Sequence, residues 1–223
     1  MNKEFTYLLE VSKKKANKWL DSDIDSKSKN EIIQLLHKKN QQLLLECFYK
    51  NLEFGTGGMR GIIGIGSNRV NKYTIGFTTQ GLSNYLNKVF QSNISVAIAY
   101  DSRKFSKEFA QCSAEVFSAN KIKVYLFSEL RPTPELSFAI RKLKCNCGIV
   151  ITASHNPKEY NGYKVYWKDG GQITKPHDKL ILNEINKLND INISKNKKYI
   201  SLINEEIDKE YIKKIKSLSL YNN

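Results

Sequence analysis

Three short apolar runs, Ser95-Val96-Ala97-Ile98-Ala99-Tyr100, Lys123-Val124-Tyr125-Leu126-Phe127 and Gly148-Ile149-Val150-Ile151, alternate with two stretches of helical periodicity, Phe105 to Asn120 and Pro134 to Leu143. Short apolar runs bounded by turn residues read as buried strands. Strands that alternate with helices of this length imply crossover connections and a largely parallel sheet. The fold class is α/β. In such sheets ligands sit beyond the carboxyl ends of the strands, which directs attention to Asp101-Ser102-Arg103, to Arg131-Pro132-Thr133-Pro134 and to whatever follows Ile151.

Upstream of these runs, Tyr73 to Phe90 carries Ile75, Leu82, Tyr85, Leu86 and Val89 on one face of a predicted helix. Before it, six glycines fall between Gly55 and Gly66, a stretch that can lay backbone amides against a ligand or serve turns. Residues 6–20 and 28–50 read as two amphipathic helices separated by the turn chemistry of Asp21-Ser22-Asp23. Downstream, Pro176 to Leu188 reads as a helix, 189–198 as an Asn/Lys/Ser-rich linker, and Glu205 to Leu218 as a further amphipathic helix, with no strand expected in this tail.

The chain has 223 residues, 36 Lys and Arg against 22 Asp and Glu, a formal net charge of +14, and 40% apolar residues. That composition suits a soluble globular protein, and no run approaches the ~18 apolar residues that a membrane span requires. The start lacks an apolar secretory segment, so the expected address is cytoplasmic. The surplus charge is mostly scattered Lys. Arginine, which reads bases and phosphates bidentately, is confined to Arg60, Arg69, Arg103, Arg131 and Arg141. The charge therefore reads as a solvated surface, with neither nucleic acid nor membrane as partner. Cys47, Cys112, Cys145 and Cys147 lack the spacing of a zinc site and read as free thiols.

After Ile151 comes Thr152-Ala153-Ser154-His155-Asn156-Pro157, then Asn161-Gly162-Tyr163-Lys164-Val165-Tyr166. A serine hydroxyl at the carboxyl end of a buried strand is a candidate nucleophile; an ordinary strand-to-helix turn is the alternative. A Ser154–His155 dyad is disfavoured if the backbone is extended, because neighbouring side chains then point to opposite faces. Arg60 is either a phosphoryl clamp or a partner for carbonyls of the glycine stretch. Lys164 is either functional or an exposed strand lysine, and Arg103 reads most simply as a surface ion pair.

The segment Ile151 to Pro157 resembles the active-site serine loop of the α-D-phosphohexomutases, and Phe54-Gly55-Thr56-Gly57-Gly58-Met59-Arg60-Gly61 resembles their amino-terminal substrate loop. Asn68-Arg69-Val70-Asn71, Arg131-Pro132-Thr133-Pro134 and Asn156 to Trp167 are similar to the phosphoglucomutase/phosphopentomutase branch, in the family's order over residues 54–178. The resemblance implies a three-layer α/β/α domain with a mostly parallel mixed sheet, preceded here by amino-terminal helices. It implies a phosphosugar mutase, an isomerase acting by intramolecular phosphotransfer. Hexose 1-phosphate and 6-phosphate would interconvert through a phosphoserine at Ser154 and a bisphosphate intermediate.

On the same resemblance, Ser154, His155, Lys164 and Arg60 are the catalytic set, with Lys164 as general acid/base and His155 orienting the phosphate. Thr56, Gly57, Arg60, Arg103, Asn156 and Lys164 would bind substrate. Mg2+ would sit on Ser154 through its phosphate, and a glucose 1,6-bisphosphate-type activator would charge the serine. The glycine stretch departs slightly from the family in Thr56-Gly57-Gly58-Met59. A larger departure is that the metal, sugar-reading and phosphate-reading loops of the family's three later domains have no counterpart in this sequence. The organisation expected is a helical extension over 1–50, the phosphoserine domain over 51–200, and a linker with the first helix of a second domain over 201–223. Such a chain would belong to a truncated or split enzyme, inactive without the remaining mutase domains as partners. The alternative is an inactive remnant that binds a phosphosugar or a partner protein.

Overall fold

The computed structural model describes residues 3–55, 57–188 and 193–220. Helices α1 (Lys3–Leu20), α2 (Ser26–Leu36) and α3 (Gln41–Phe48) come first, then strands β1 (Phe54–Gly55) and β2 (Gly58–Ile62). Helix α4 (Lys72–Val89) leads into β3 (Ser95–Tyr100), α5 (Ser106–Ala119), β4 (Lys123–Phe127), α6 (Thr133–Lys142) and β5 (Cys147–Ile151). The chain continues through β6 (Tyr160–Trp167), α7 (His177–Asn186), β7 (Ile200–Ile203) and α8 (Glu205–Lys216).

The strands form one mixed sheet in the order β1-β2-β6-β5-β3-β4-β7. Strands β5, β3, β4 and β7 are mutually parallel, while β6 runs antiparallel to both β5 and β2. Period-two alternation assigns the two faces. Val96, Ile98, Val124, Leu126, Ile149, Ile151, Tyr163 and Val165 point into a core closed by α4, α5 and α7. Ala97, Ala99, Val150 and Tyr166 point the other way, under α6 and α8. The result is the three-layer α/β/α arrangement expected.

The amino-terminal helices carry their own cluster, in which Leu9, Ala16, Ile32, Leu44 and Phe48 pack with Ile65 of the main domain. Trp19 joins the two parts, its ring edge-on to Phe48 and Tyr73 at 5.6 Å each. Burying a side chain such as Phe48 contributes about 1.5–3 kcal/mol. Phe48 is fully buried, so the extension is fastened by packing.

Three local differences from the sequence reading have identifiable causes. The single helix expected over 28–50 is split: His37 is extended, and the Asn40 side chain donates to Gln34 O at 2.6 Å, drawing off a helix carbonyl. The helix also starts earlier than 28, at Ser26, because Asp25 caps it through the Ser28 N–H at 3.0 Å. The tail does contain a strand, β7, which pairs in parallel with β4 and so straddles residue 200. It escapes a hydropathy reading because Ser201 and Leu202 are exposed and only Ile203 is buried. Helix α8 then docks on α6: Ile207 is buried, Phe138 and Tyr211 meet at 5.6 Å, and Lys142 pairs with Glu210 at 3.0 Å. No described helix is long and apolar enough to cross a membrane.

Candidate active site

Because β3, β4, β5 and β7 are parallel, their carboxyl ends share one edge of the sheet, and the serine loop leaves β5 there. Thr152 still belongs to the sheet, donating its N–H to Gly162 O at 3.1 Å. Its hydroxyl accepts the Ser154 N–H at 2.9 Å, a local turn of the kind Thr favours. This turn carries Ser154 to φ +59°, in the left-handed region, where a non-glycine residue costs roughly 1–2 kcal/mol. Ser154 and His155 are both exposed, and Ser154 Oγ lies 3.4 Å from His155 Nδ1. The extended backbone that would separate them does not occur, so the two side chains meet at the outer limit of a hydrogen bond.

The glycine stretch is a strand pair, not an open loop. Gly57 has φ +83°, and a Cβ on Gly58 would stand 2.0 Å from Tyr163 O, so β2 can lie against β6 only with glycine there. The Gly57 carbonyl accepts from Val165 N–H at 2.9 Å and from Gln172 Nε2 at 3.3 Å. Its oxygen is thus spent on holding the turn. Thr56 lies outside the described residues.

Register brings the two expected cations to one face. Gly58 stands opposite Lys164 and Gly162 opposite Arg60, so each cation faces a glycine and no side chain intervenes between them. Arg60 Nη1 donates to Asn156 Oδ1, which ties the β2 arginine to the serine loop. Desolvation by partial burial, and secondarily the Arg60 charge, lower the pKa of Lys164 below the ordinary 10.5. A lysine whose ammonium form is penalised in this way is suited to exchanging a proton.

Arg103 is not the surface ion pair its sequence position suggests. Its side chain is 15% exposed and its guanidinium lies under the serine loop, with Asp101 Oδ2 3.4 Å from Nε. Asp101 also accepts from the Arg103 N–H at 3.0 Å and from Ser106 Oγ at 2.7 Å. Asn161, fully buried, donates to Ser106 Oγ at 3.0 Å and to Lys104 O at 3.1 Å. Gln172 is a residue of this site that the sequence did not point to, and Asp101 and Asn161 stood there only within longer segments, with no role of their own. Their signal was only a polar residue at a strand end, next to a glycine, or after a turn.

The Arg131-Pro132-Thr133-Pro134 segment reaches the same sheet edge but serves α8. Arg131 makes a two-pronged pair with Asp208 at 2.7 Å per contact, and Nη2 also donates to Asn204 Oδ1 at 2.7 Å. Beside it Glu135 is buried, and its pKa is pushed up to about 7 by desolvation and by the neighbouring Asp208. All four cysteines are buried and free.

Among the described residues no group of three His, Cys, Asp or Glu side chains could hold a metal ion. The carboxylate beside the serine loop, Asp101, is committed to Arg103 and Ser106. These residues do not by themselves fit a resident Mg2+, whose other oxygen ligands would have to come from outside them.

Comparison with known proteins agrees with this arrangement. Residues 51–192 match the family model described as phosphoglucomutase/phosphomannomutase, alpha/beta/alpha domain I. The human phosphopentomutase is 43% identical over 175 residues, covering 75% of this chain and 29% of that protein. The phosphoglucomutase of Staphylococcus aureus (strain MRSA252) is 43% identical over 182 residues, covering 79% of this chain and 33% of that protein. This chain thus spans about a third of the length of these relatives. A Thermus thermophilus crystal structure assigned as a phosphomannomutase superposes with a TM-score of 0.63 at 26% identity, over 75% of this chain and 36% of that one.

Proposed function

This chain belongs to the phosphoglucomutase/phosphomannomutase family through its α/β/α domain I, and on that basis we propose that it is the phosphoserine-bearing part of a phosphosugar mutase. The observation that carries the reading is the presentation of Ser154. It is exposed at the carboxyl edge of the sheet in a left-handed turn, with Arg60 bonded to its loop and Lys164 on the same face. On this reading Ser154 Oγ carries the phosphoryl group, which adds about −1.5 to −2 charge at pH 7. Arg60 supplies the opposing positive charge, and its fork can take two phosphoryl oxygens.

In the forward step a hydroxyl oxygen of a hexose monophosphate attacks the phosphorus, forming a new O–P bond as the Ser154 Oγ–P bond breaks. The hydroxyl proton passes to Lys164 Nζ, which enters the step as the neutral amine, and the ammonium so formed returns a proton to the Ser154 oxygen as the Oγ–P bond breaks. The resulting bisphosphate turns over in the site and returns its other phosphoryl group to Ser154, so that 1- and 6-phosphates interconvert. His155, at 3.4 Å from Oγ, holds the phosphoryl group in place. Asn156 and Gly57 face the sugar phosphate.

The division of the chain follows the same reading. Residues 1–50 extend the domain, 51–200 carry the phosphoserine, and the helix after β7 opens a second domain. Replacing the matching third of the Staphylococcus aureus phosphoglucomutase with this chain tests the proposal. The chimera is expected to convert glucose 1-phosphate to glucose 6-phosphate, and Ser154→Ala to abolish conversion. A folded chimera whose activity survives Ser154→Ala would overturn it.

A further inference from the structure

Arg103 leaves the sheet edge just after Asp101, and its guanidinium gathers the serine loop from beneath. Nη2 donates to Ser154 O at 2.8 Å and to Asn156 O at 2.7 Å. Nη1 donates to Pro157 O at 2.9 Å and to Tyr160 O at 3.1 Å. With Nε beside Asp101 at 3.4 Å, all three nitrogens are engaged. A guanidinium binds phosphate through a free pair of parallel N–H groups, and Arg103 has no such pair left. It therefore acts on the chain and not on a ligand.

What it does to the chain follows from peptide geometry. The peptide bonds of the serine loop are trans, so each N–H points opposite to the carbonyl it is bonded to. With the carbonyls of Ser154 and Pro157 drawn inward to Arg103, the N–H groups of His155 and Lys158 turn outward. Ser154 and His155 are exposed in this same loop. The Ser154 carbonyl is one of the four held, so the clamp acts directly on the residue in the left-handed conformation. Four carbonyls converging without a cation would repel one another. A lysine could not replace the clamp, because its ammonium is a point charge and the four oxygens are spread along a planar fork. Asp101 and Ser106 anchor the clamp from behind, and Asn161 ties that anchor to the start of β6.

We infer that Arg103 is a positioning residue for Ser154: it fixes the loop so that the hydroxyl and the flanking amides face the ligand side, and it makes no contact with substrate. The inference rests on the phosphoserine reading for what is presented, but the clamp itself can be measured without it. Three forms of the full chain, wild type, Arg103→Lys and Arg103→Ala, are compared by hydrogen exchange over residues 152–160. Carried in the Staphylococcus aureus chimera described above, they are also compared by the rate of Ser154 labelling from glucose 1,6-bisphosphate with Mg2+, and by affinity for glucose 6-phosphate. Both variants are expected to raise loop exchange by at least about tenfold while the strands of the sheet stay protected. Labelling is expected to slow by about 100-fold, the loss typical of a misplaced reacting group. Affinity for glucose 6-phosphate is expected to stay within about twofold, and added ethylguanidinium to restore part of the rate in Arg103→Ala.

Loop exchange unchanged in both variants would overturn the inference, as would a loss that appears as weakened glucose 6-phosphate affinity. If the wild type takes no label but loop exchange still responds to the variants, the phosphoserine reading falls and the clamp stands. Should Arg103→Ala fail to fold, Arg103→Lys retains the charge and carries the same comparison.

Discussion

Replacing Gly162 by Ala is expected to damage stability and site together, because this glycine stands where three strands meet. A Cβ at Gly162 would lie 2.7 Å from Met59 O on β2, 2.8 Å from Thr152 O at the end of β5, and 3.4 Å from Arg60 Cα. Contacts below 3.0 Å are essentially never seen for a real Cβ, and both oxygens are backbone atoms of the ladder, so no side chain can rotate aside. The strands must separate. Overpacking a well-fitted interior costs about 1–3 kcal/mol, and the upper end applies where both neighbours are main chain. The reduced freedom of the unfolded chain offsets about 0.4–1 kcal/mol of this, leaving roughly 2 kcal/mol. For a chain of this length that is a fall of about 4–8 °C in Tm. Scanning calorimetry reads it directly, with Gly171→Ala as the comparison. There the nearest atom is a side-chain oxygen of Asp169 at 3.3 Å, not main chain, and a change within about 0.5 kcal/mol is expected. The separation also moves Arg60 on one side and the Thr152–Ser154 turn on the other, so Ser154 labelling is expected to drop with Tm. A Gly162→Ala chain that melts within a degree of wild type, or no lower than Gly171→Ala, would refute the packing argument.

Glu135 supplies a pH prediction. Its folded pKa, about 7, lies above its ordinary 4.5, so the stability it contributes is present at low pH and is lost as pH rises from about 4.5 through 7. The effect is on the order of 3 kcal/mol across that window, felt where Arg131 and Asp208 join the loop before α6 to α8. Tm measured against pH should be flatter for Glu135→Gln than for wild type over this range, and parallel curves would contradict the assignment. Lys164→Met is expected to slow Ser154 phosphoryl transfer by about 100-fold or more, as loss of a general acid/base does. Wild-type transfer should rise with pH and level off below 10.5, where the lowered Lys164 pKa lies, while the variant profile stays flat. Identical profiles would remove Lys164 from proton transfer.

The parallel half of the sheet was legible because Val96, Ile98, Val124 and Ile149 belong to strands covered on both faces, which form continuous apolar runs. Strand β7 was not, because an edge strand with Leu202 66% exposed has no such run. The glycine stretch read as a loop because what makes it a strand is contact with β6, about a hundred residues away in sequence. Among site residues, Ser154, Arg60 and Lys164 were visible as residue types in a motif. Arg103 was visible only as a surface cation or a substrate-binding one, and what it holds is three backbone carbonyls of the serine loop and one at the start of β6. Backbone acceptors have no sequence signature, so a residue whose task is to hold main chain reads as an ordinary surface charge.

Whether Ser154 accepts and donates the phosphoryl group can be decided by incubating the Staphylococcus aureus chimera, which supplies the remaining domains, with glucose 1,6-bisphosphate and Mg2+, digesting it and locating the added phosphate by mass spectrometry. Phosphate is expected on the peptide containing Ser154, absent from Ser154→Ala and removed again by glucose 6-phosphate. Phosphate on any other residue, or none on Ser154, would contradict the phosphoserine role.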